Sequence, residues 1–159
     1  MKITVLAVGK VKESFYREAV MEFKKRLSRY VKLEILETPD EKTPDQASMQ
    51  DQVRIKEREG ERLLKLLQED AYVIALAIEG KMYDSPELAE KIRILGVNGK
   101  SHIVFIIGGS LGLSDAVLKR ADLRLSFSKM TFPHQLMRVI LLEQIYRSFR
   151  IISHEPYHK

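Results

Sequence analysis

The sequence predicts an α/β fold, a mainly parallel sheet with helices on both faces, and three observations lead there. Continuous apolar runs recur at Ile3–Val8, Tyr72–Ile78 and His102–Ile107. Runs without polar alternation suit strands covered on both sides. Between them lie segments whose apolar residues recur at spacings of three and four, the period of a helix packed by one face. Finally, 159 residues with 45% hydrophobic content, and neither an internal repeat nor a linker, suit one domain over residues 1–159, burying about 70% of the unfolded surface.

The elements follow in order. Ile3–Val8 reads as a buried strand closed by Gly9. Tyr16, Val20, Phe23, Leu27 and Tyr30 then form one helical stripe that leaves Lys24, Lys25 and Arg26 outward. Val31–Glu37 is a second strand, and the prolines and charges of Thr38–Asp45 mark an exposed loop. A long helix is expected over Gln46–Gln68, with Met49, Val53, Leu63, Leu64 and Leu67 as its apolar face and Gly60 permitting close packing or a bend there. After the Tyr72–Ile78 strand, Ser85 is expected to cap a helix with Pro86 in its first turn and Gly96 as its stop. The strand His102–Ile107 ends at Gly108-Gly109, Ser114 caps a short helix through Arg120, and Leu123–Phe127 is the last strand. Pro133 opens a final helix through Arg150 that is apolar around most of its circumference, which predicts cover on more than one side and a subunit interface.

Composition narrows the functional classes. The absence of cysteine excludes disulfides, iron–sulfur clusters, thiolate zinc sites and a cysteine nucleophile, and suits a reducing, cytoplasmic compartment. The opening MKITVLAVGK reads as a strand and not as a signal segment. No apolar run approaches the ~20 residues of a membrane span, so no membrane partner is expected. The formal charge of +5 is uneven: Met1–Asp70 holds 15 Lys and Arg against 14 Asp and Glu, whereas Lys119–Lys159 holds 8 against 3 and three of the four histidines. Clustered positive charge is the footprint of a protein that docks on phosphates, although a solvated basic face has the same composition.

Several motifs invite a quick assignment. Gly108-Gly-Ser-Leu-Gly112 fits the G-x-S-x-G nucleophile elbow, with Asp115 or Asp122 and His134 following in hydrolase order. A hydrolase of that kind needs a larger sheet than this chain can build, so Ser110 is not expected to be a nucleophile. The same glycines lack the first position of a dinucleotide fingerprint, which Ile107 occupies, and no P-loop lysine is present. His154-Glu-Pro-Tyr-His158 matches H-E-x-x-H, but Pro156 obstructs the helix that zinc binding requires, and no metal is expected. The tail nevertheless concentrates proton-transfer groups, Tyr157 and His158 beside Lys159. Arg138 shares the apolar side of Leu142, Ile145 and Phe149. An ion pair at an interface, or recognition of a phosphate or carboxylate, would each account for it. Glu143 and Arg147 form a favourable i, i+4 pair.

Taken together, Phe105–Gly112, Leu125–His134, Leu136–Arg147 and Pro156–Lys159 resemble the RlmH-type ribosomal RNA methyltransferases of the SPOUT superfamily, in length and order over the whole chain. The resemblance implies transfer of a methyl group from S-adenosylmethionine to N3 of a pseudouridine in 23S RNA of the large ribosomal subunit. It further implies a C-terminal trefoil knot and a homodimer. Matched position by position, it assigns Leu76, Gly108 and the segment Phe127, Ser128, Lys129, Met130, Thr131 and Phe132 to the cofactor. We expect Tyr157 and His158 as the catalytic pair, in the same chain or across the dimer, with Arg138 and Lys159 on RNA, holding phosphates or the base, and His134 as either a second candidate or a structural residue. Lys159 stands where relatives often carry Arg, which exchanges a planar fork for a point charge. The basic tail alone would equally suit a non-catalytic RNA- or ribosome-binding module.

Overall fold

The computed structural model describes residues Met1–Lys159. Strands β1 (Lys2–Val8), β2 (Lys32–Thr38), β3 (Tyr72–Met82), β4 (His102–Ile107) and β5 (Leu123–Ser126) alternate with helices α1 (Ser14–Leu27), α2 (Met49–Lys65), α3 (Ser85–Val97), α4 (Asp115–Arg120) and α5 (His134–Ile152). The five strands form one sheet in the order β2-β1-β4-β3-β5. Every pairing is parallel, so the sheet is wholly and not just mainly so.

Side-chain alternation divides the interior into two layers. Ile3, Val5, Ala7, Ile74, Ile103, Phe105 and Ile107 face α1, α3 and α5, where Leu27, Leu88, Ile92, Leu95, Leu141, Leu142 and Ile145 meet them. Leu6, Val8, Val73, Ala75, Val104 and Ile106 face Leu63 of α2 and Val117 of α4. The neighbours β1 and β4 thus lead into helices on opposite faces. That arrangement opens a crevice beyond the C-terminal ends of the strands, where open α/β sheets bind ligands.

Several sequence expectations need adjustment. Met49 and Val53 are 83% and 46% exposed and do not belong to the apolar face of α2. Its buried side is instead Ile55, Glu59, Gly60 and Leu63. Gly60 does serve close packing, since a Cβ there would lie 2.3 Å from Ser114 Oγ. Helix α3 is capped by Asp84 and not by Ser85: Asp84 accepts from the Glu87 N–H and the Glu87 side chain accepts from the Asp84 N–H, a reciprocal pair that satisfies two terminal donors. Ser85 begins the helix and its Oγ donates to Gln144 Oε1 at 2.7 Å. Gly96 lies within α3, and Gly99, at φ +81°, takes the left-handed turn beyond it. Strand β3 continues to Met82, interrupted by a register shift between Leu76 and Lys81. Gly80 sits in that irregularity, where a Cβ would lie 2.7 Å from the Arg124 backbone.

Candidate functional site

A cavity of about 480 Å³ lies at the C-terminal edge of the sheet, within the size range of small-molecule sites. Its walls come from the ends of β3 and β4, the Gly108–Leu113 turn, the segment after β5 and the first turn of α5. The turn is tight because it must be. Gly112 N–H donates to the Gly109 carbonyl at 3.1 Å, and Gly112 has φ +88°, a region that disfavours other residues. A Cβ on Gly108 would lie 2.9 Å from the Gly112 carbonyl, and one on Gly109 would lie 3.1 Å from Glu59 Oε1. Backbone is therefore bare here, with its amides and carbonyls close to whatever occupies the cavity.

The segment after β5 is held by its own serines. Ser126 Oγ donates to the Ser128 carbonyl at 3.1 Å, and Met130 N–H donates to Ser128 Oγ at 3.0 Å. This loop lays Phe127, Ser128, Met130, Thr131 and Phe132 against the cavity, opposite Leu76 and Gly108. Seven of the eight positions matched to a cofactor thus surround one space, while Lys129, between two lining residues, does not line it. Apolar side chains for a flat heterocycle, bare peptide groups for its polar edge and glycines that a Cβ would crowd make a chemically suitable cradle for an adenosine-bearing cofactor.

His134 also lines the cavity. Its Nδ1 is buried without a hydrogen-bond partner, and burial, with a smaller contribution from Arg138, lowers its pKa. Ser110 is exposed and makes no bond to His134, while Asp122 accepts from the Val73 N–H at 2.8 Å. No hydrolase triad is assembled. Nor do histidines and carboxylates cluster as metal ligands, and His154 lies outside helix at φ 53°.

Arg138 corrects an expectation. Its side chain is 2% exposed, pairs with Glu37 and donates from Nη2 to the Gly9 carbonyl at 3.1 Å. An arginine so enclosed cannot reach a phosphate of RNA. The ion-pair alternative is the one realised, made inside the chain and not at an interface. Its partner comes from β2: a buried guanidinium needs a carboxylate, and Glu37, one residue before the end of that strand, supplies it.

The tail lies elsewhere. Tyr157 OH donates to Glu143 Oε1 at 3.0 Å, its ring meets Tyr146 edge-on at 4.9 Å, and the Arg147 guanidinium sits 4.7 Å from its centroid. Burial, then the bond to Glu143, raises the Tyr157 pKa. His158 Nδ1 accepts from Arg147 Nη1 at 3.2 Å, which in the neutral ring leaves the proton on Nε2. Lys159 is exposed. Glu143 therefore does more than pair with Arg147, at 2.5 Å; it also anchors the tail. Glu155 adds a second anchor, accepting from Tyr30 OH at 2.9 Å and from Arg150 Nη1 at 2.7 Å. The tail docks nine to thirteen residues along α5 from His134, or roughly 14–20 Å at 1.5 Å per residue. It does not line the cavity of its own chain.

Sequence reasoning passed over Glu59. It is 4% exposed and its Oε2 accepts from the Glu41 N–H at 3.0 Å. Burial, ahead of the neighbouring acids, raises its pKa. The signal was available, because Glu59 lies four residues from both Ile55 and Leu63 on the packed stripe of α2.

Comparison with known proteins is consistent across the chain's length. Residues 1–158 match the family described as "Predicted SPOUT methyltransferase". The chain is 64% identical to the ribosomal RNA large subunit methyltransferase H of Bifidobacterium adolescentis over 159 residues, covering all of both chains. It is 59% identical to the protein of that name from Bifidobacterium animalis subsp. lactis and 58% identical to that from Clostridium kluyveri, again over the full length of each.

Proposed function

The chain belongs to the SPOUT methyltransferase family, and from that premise we propose that it methylates N3 of a pseudouridine in 23S RNA of the large ribosomal subunit, with S-adenosylmethionine as donor. One observation carries the reading: seven of the eight positions matched to the cofactor, from three separate stretches of sequence, line a single cavity beside a glycine turn, in a chain alike over its whole length to ribosomal RNA large subunit methyltransferases. S-adenosylmethionine, when bound, supplies a methyl group on a positively charged sulfur.

The chain's own residues supply position. Leu76, Phe127 and Phe132 give apolar walls, and Gly108 with the peptide groups of Ser128, Met130 and Thr131 gives polar contacts, Lys129 serving only to link them. In a displacement that proceeds in line, holding the acceptor at the correct approach supplies much of the acceleration. The acceptor nitrogen must also lose a proton, and the tail carries the groups suited to that. Tyr157, kept protonated by its raised pKa, is a donor that orients the base. His158 takes the N3 proton at Nδ1 once its ring leaves Arg147. Lys159 contacts RNA phosphate.

This division of labour requires a second copy. A tail docked far along α5 from its own cavity serves a partner's cavity more readily, and the homodimer expected of the family would bring the two together. The family's trefoil knot belongs to the same reading; the lining of one cavity by both the Gly108–Gly112 turn and the segment after β5 supports it.

Ribosomes from a strain lacking the enzyme, incubated with the protein and methyl-labelled S-adenosylmethionine, should acquire label in large-subunit RNA at a pseudouridine. Absence of label there would overturn the reading. A non-catalytic RNA-binding module would bind ribosomes without taking up S-adenosylmethionine in calorimetry.

A further inference from the structure

The β1–α1 turn, Gly9-Lys-Val-Lys-Glu13, is fixed in place more firmly than a surface connection requires. Gln135 Oε1 accepts from both the Lys12 and Glu13 N–H groups, at 2.9 and 3.3 Å. Arg138 reaches the Gly9 carbonyl from beneath at 3.1 Å. Arg17 Nη1 donates to the Lys12 carbonyl at 3.0 Å, and Gly9, at φ +85°, turns the chain. Both Gln135 and Arg138 come from the first turns of α5, the same turns that place His134 and Met137 on the cavity. A Cβ on Gly9 would lie 3.6 Å from His134 Cε1, so turn and cavity wall touch.

On this turn the side chains of Lys10 and Lys12 remain free. Lys10 and Lys12 are exposed, and no carboxylate pairs with either, although nine other cations of the chain are paired. The Lys12 charge contributes, least of the causes, to the lowered pKa of His134. Acidic groups are also near: Asp40 approaches Gly9, and Glu79 and Asp115 line the cavity. Asp40 bonds to neither lysine. Two cations on a rigid mount beside the place where a base must enter suit contact with a polyanionic backbone, because ordering the mount has already been accomplished in folding.

We propose that Lys10 and Lys12 form a phosphate-contacting clamp for the RNA substrate at the rim of the cavity, with Gln135 and Arg138 as the positioning residues that hold it. This rests on the methyltransferase reading given above and adds to it a binding surface outside the tail. The clamp supplies affinity and register, not base recognition.

The test is binding of the full-length protein, saturated with S-adenosylmethionine, to purified large ribosomal subunits at several salt concentrations from 50 to 200 mM. Each lysine neutralising one phosphate contributes about 0.7–0.9 to the slope of log affinity against log salt. K10A/K12A should therefore reduce the slope by roughly 1.5, so that wild type loses on the order of tenfold more affinity than the variant across that range. K10R/K12R should retain the wild-type slope. K32A/K100A removes the same charge from the opposite edge of the sheet, where Lys32 begins β2 and Lys100 precedes β4, and should leave it unchanged. Calorimetry should give K10A/K12A the wild-type affinity for S-adenosylmethionine. A K10A/K12A slope equal to wild type, or a K32A/K100A slope reduced as much, would overturn the clamp while wild-type methylation stood. Wild-type protein that methylated no large-subunit RNA would overturn the functional reading, a separate result.

Discussion

The Tyr157 hydroxyl donates to Glu143 Oε1 at 3.0 Å, tying the last residues of the chain to the C-terminal half of α5. The same carboxylate oxygen accepts from Arg147, whose Nη1 holds His158. Tyrosine, histidine, arginine and glutamate thus form one connected group, and the tail has a defined seat where a chain terminus would otherwise fray.

Removing Tyr157–Lys159 should abolish most turnover while leaving S-adenosylmethionine affinity within about twofold, because no tail residue lines the cavity. Single-turnover methylation and calorimetry on the same preparation make the comparison. Unchanged turnover would refute the assigned role. Glu143→Gln should give a milder defect, since an amide oxygen can still accept from Tyr157 but pairs less strongly with Arg147.

At the glycine turn, Gly108→Ala places a methyl group 2.9 Å from the Gly112 carbonyl, and backbone cannot yield as a flexible side chain can. Cofactor affinity should fall at least tenfold by calorimetry. Ser110→Ala, at an exposed position without a hydrogen-bonded base, should change turnover by less than about threefold. A dead Ser110→Ala enzyme with normal cofactor binding would contradict the assignment of the cavity and revive a nucleophilic serine.

Arg138→Met should destabilise the fold by about 1–3 kcal/mol in urea denaturation, because the Gly9 carbonyl loses its donor while Glu37, itself partly exposed, returns to water. A variant of unchanged stability would overturn this account of the pair.

His134 gives a pH signature. Its pKa in the folded chain is lowered from 6.5, chiefly by burial, with Arg138 and Lys12 acting in the same sense and Asp40 against. The folded state therefore resists a proton that the unfolded chain accepts, and stability present above pH ~6.5 is lost as the pH falls through the folded value. The urea midpoint of wild type should fall further between pH 7.5 and 5.5 than that of His134→Gln. His102, whose pKa burial also lowers, contributes equally to both proteins and cancels. Parallel decline of the two midpoints would exclude His134 as a source.

Strands and cavity were legible in the sequence to different degrees. β1, β3 and β4 are near-continuous apolar runs buried on both faces, and such runs announce themselves. The face of α2 was misjudged because Met49 and Val53 fit the helical period, yet lie in the first turns, where α2 stands over no partner layer. The cap of α3 was displaced by one residue because Asp84 and Ser85 are both competent caps, and only Asp84 stands three residues before Glu87. The cavity residues came from family likeness; nothing in local periodicity joins Leu76 to Phe132. Glu37 and Arg138 could not be paired from spacing, because their meeting depends on which strand lies beside which helix.

Helix α5 runs from His134 to Ile152, with the cavity at its first turn and the tail seated beyond its middle. On the proposed reading, a single rod that separates donor pocket from acceptor-handling groups by roughly 14–20 Å leaves an isolated chain holding two unlike fragments of machinery and no complete one. On that reading, activity per milligram must then depend on concentration: diluted below its self-association constant, the enzyme should fall silent while still binding its methyl donor. Abundance itself would then act as a throttle.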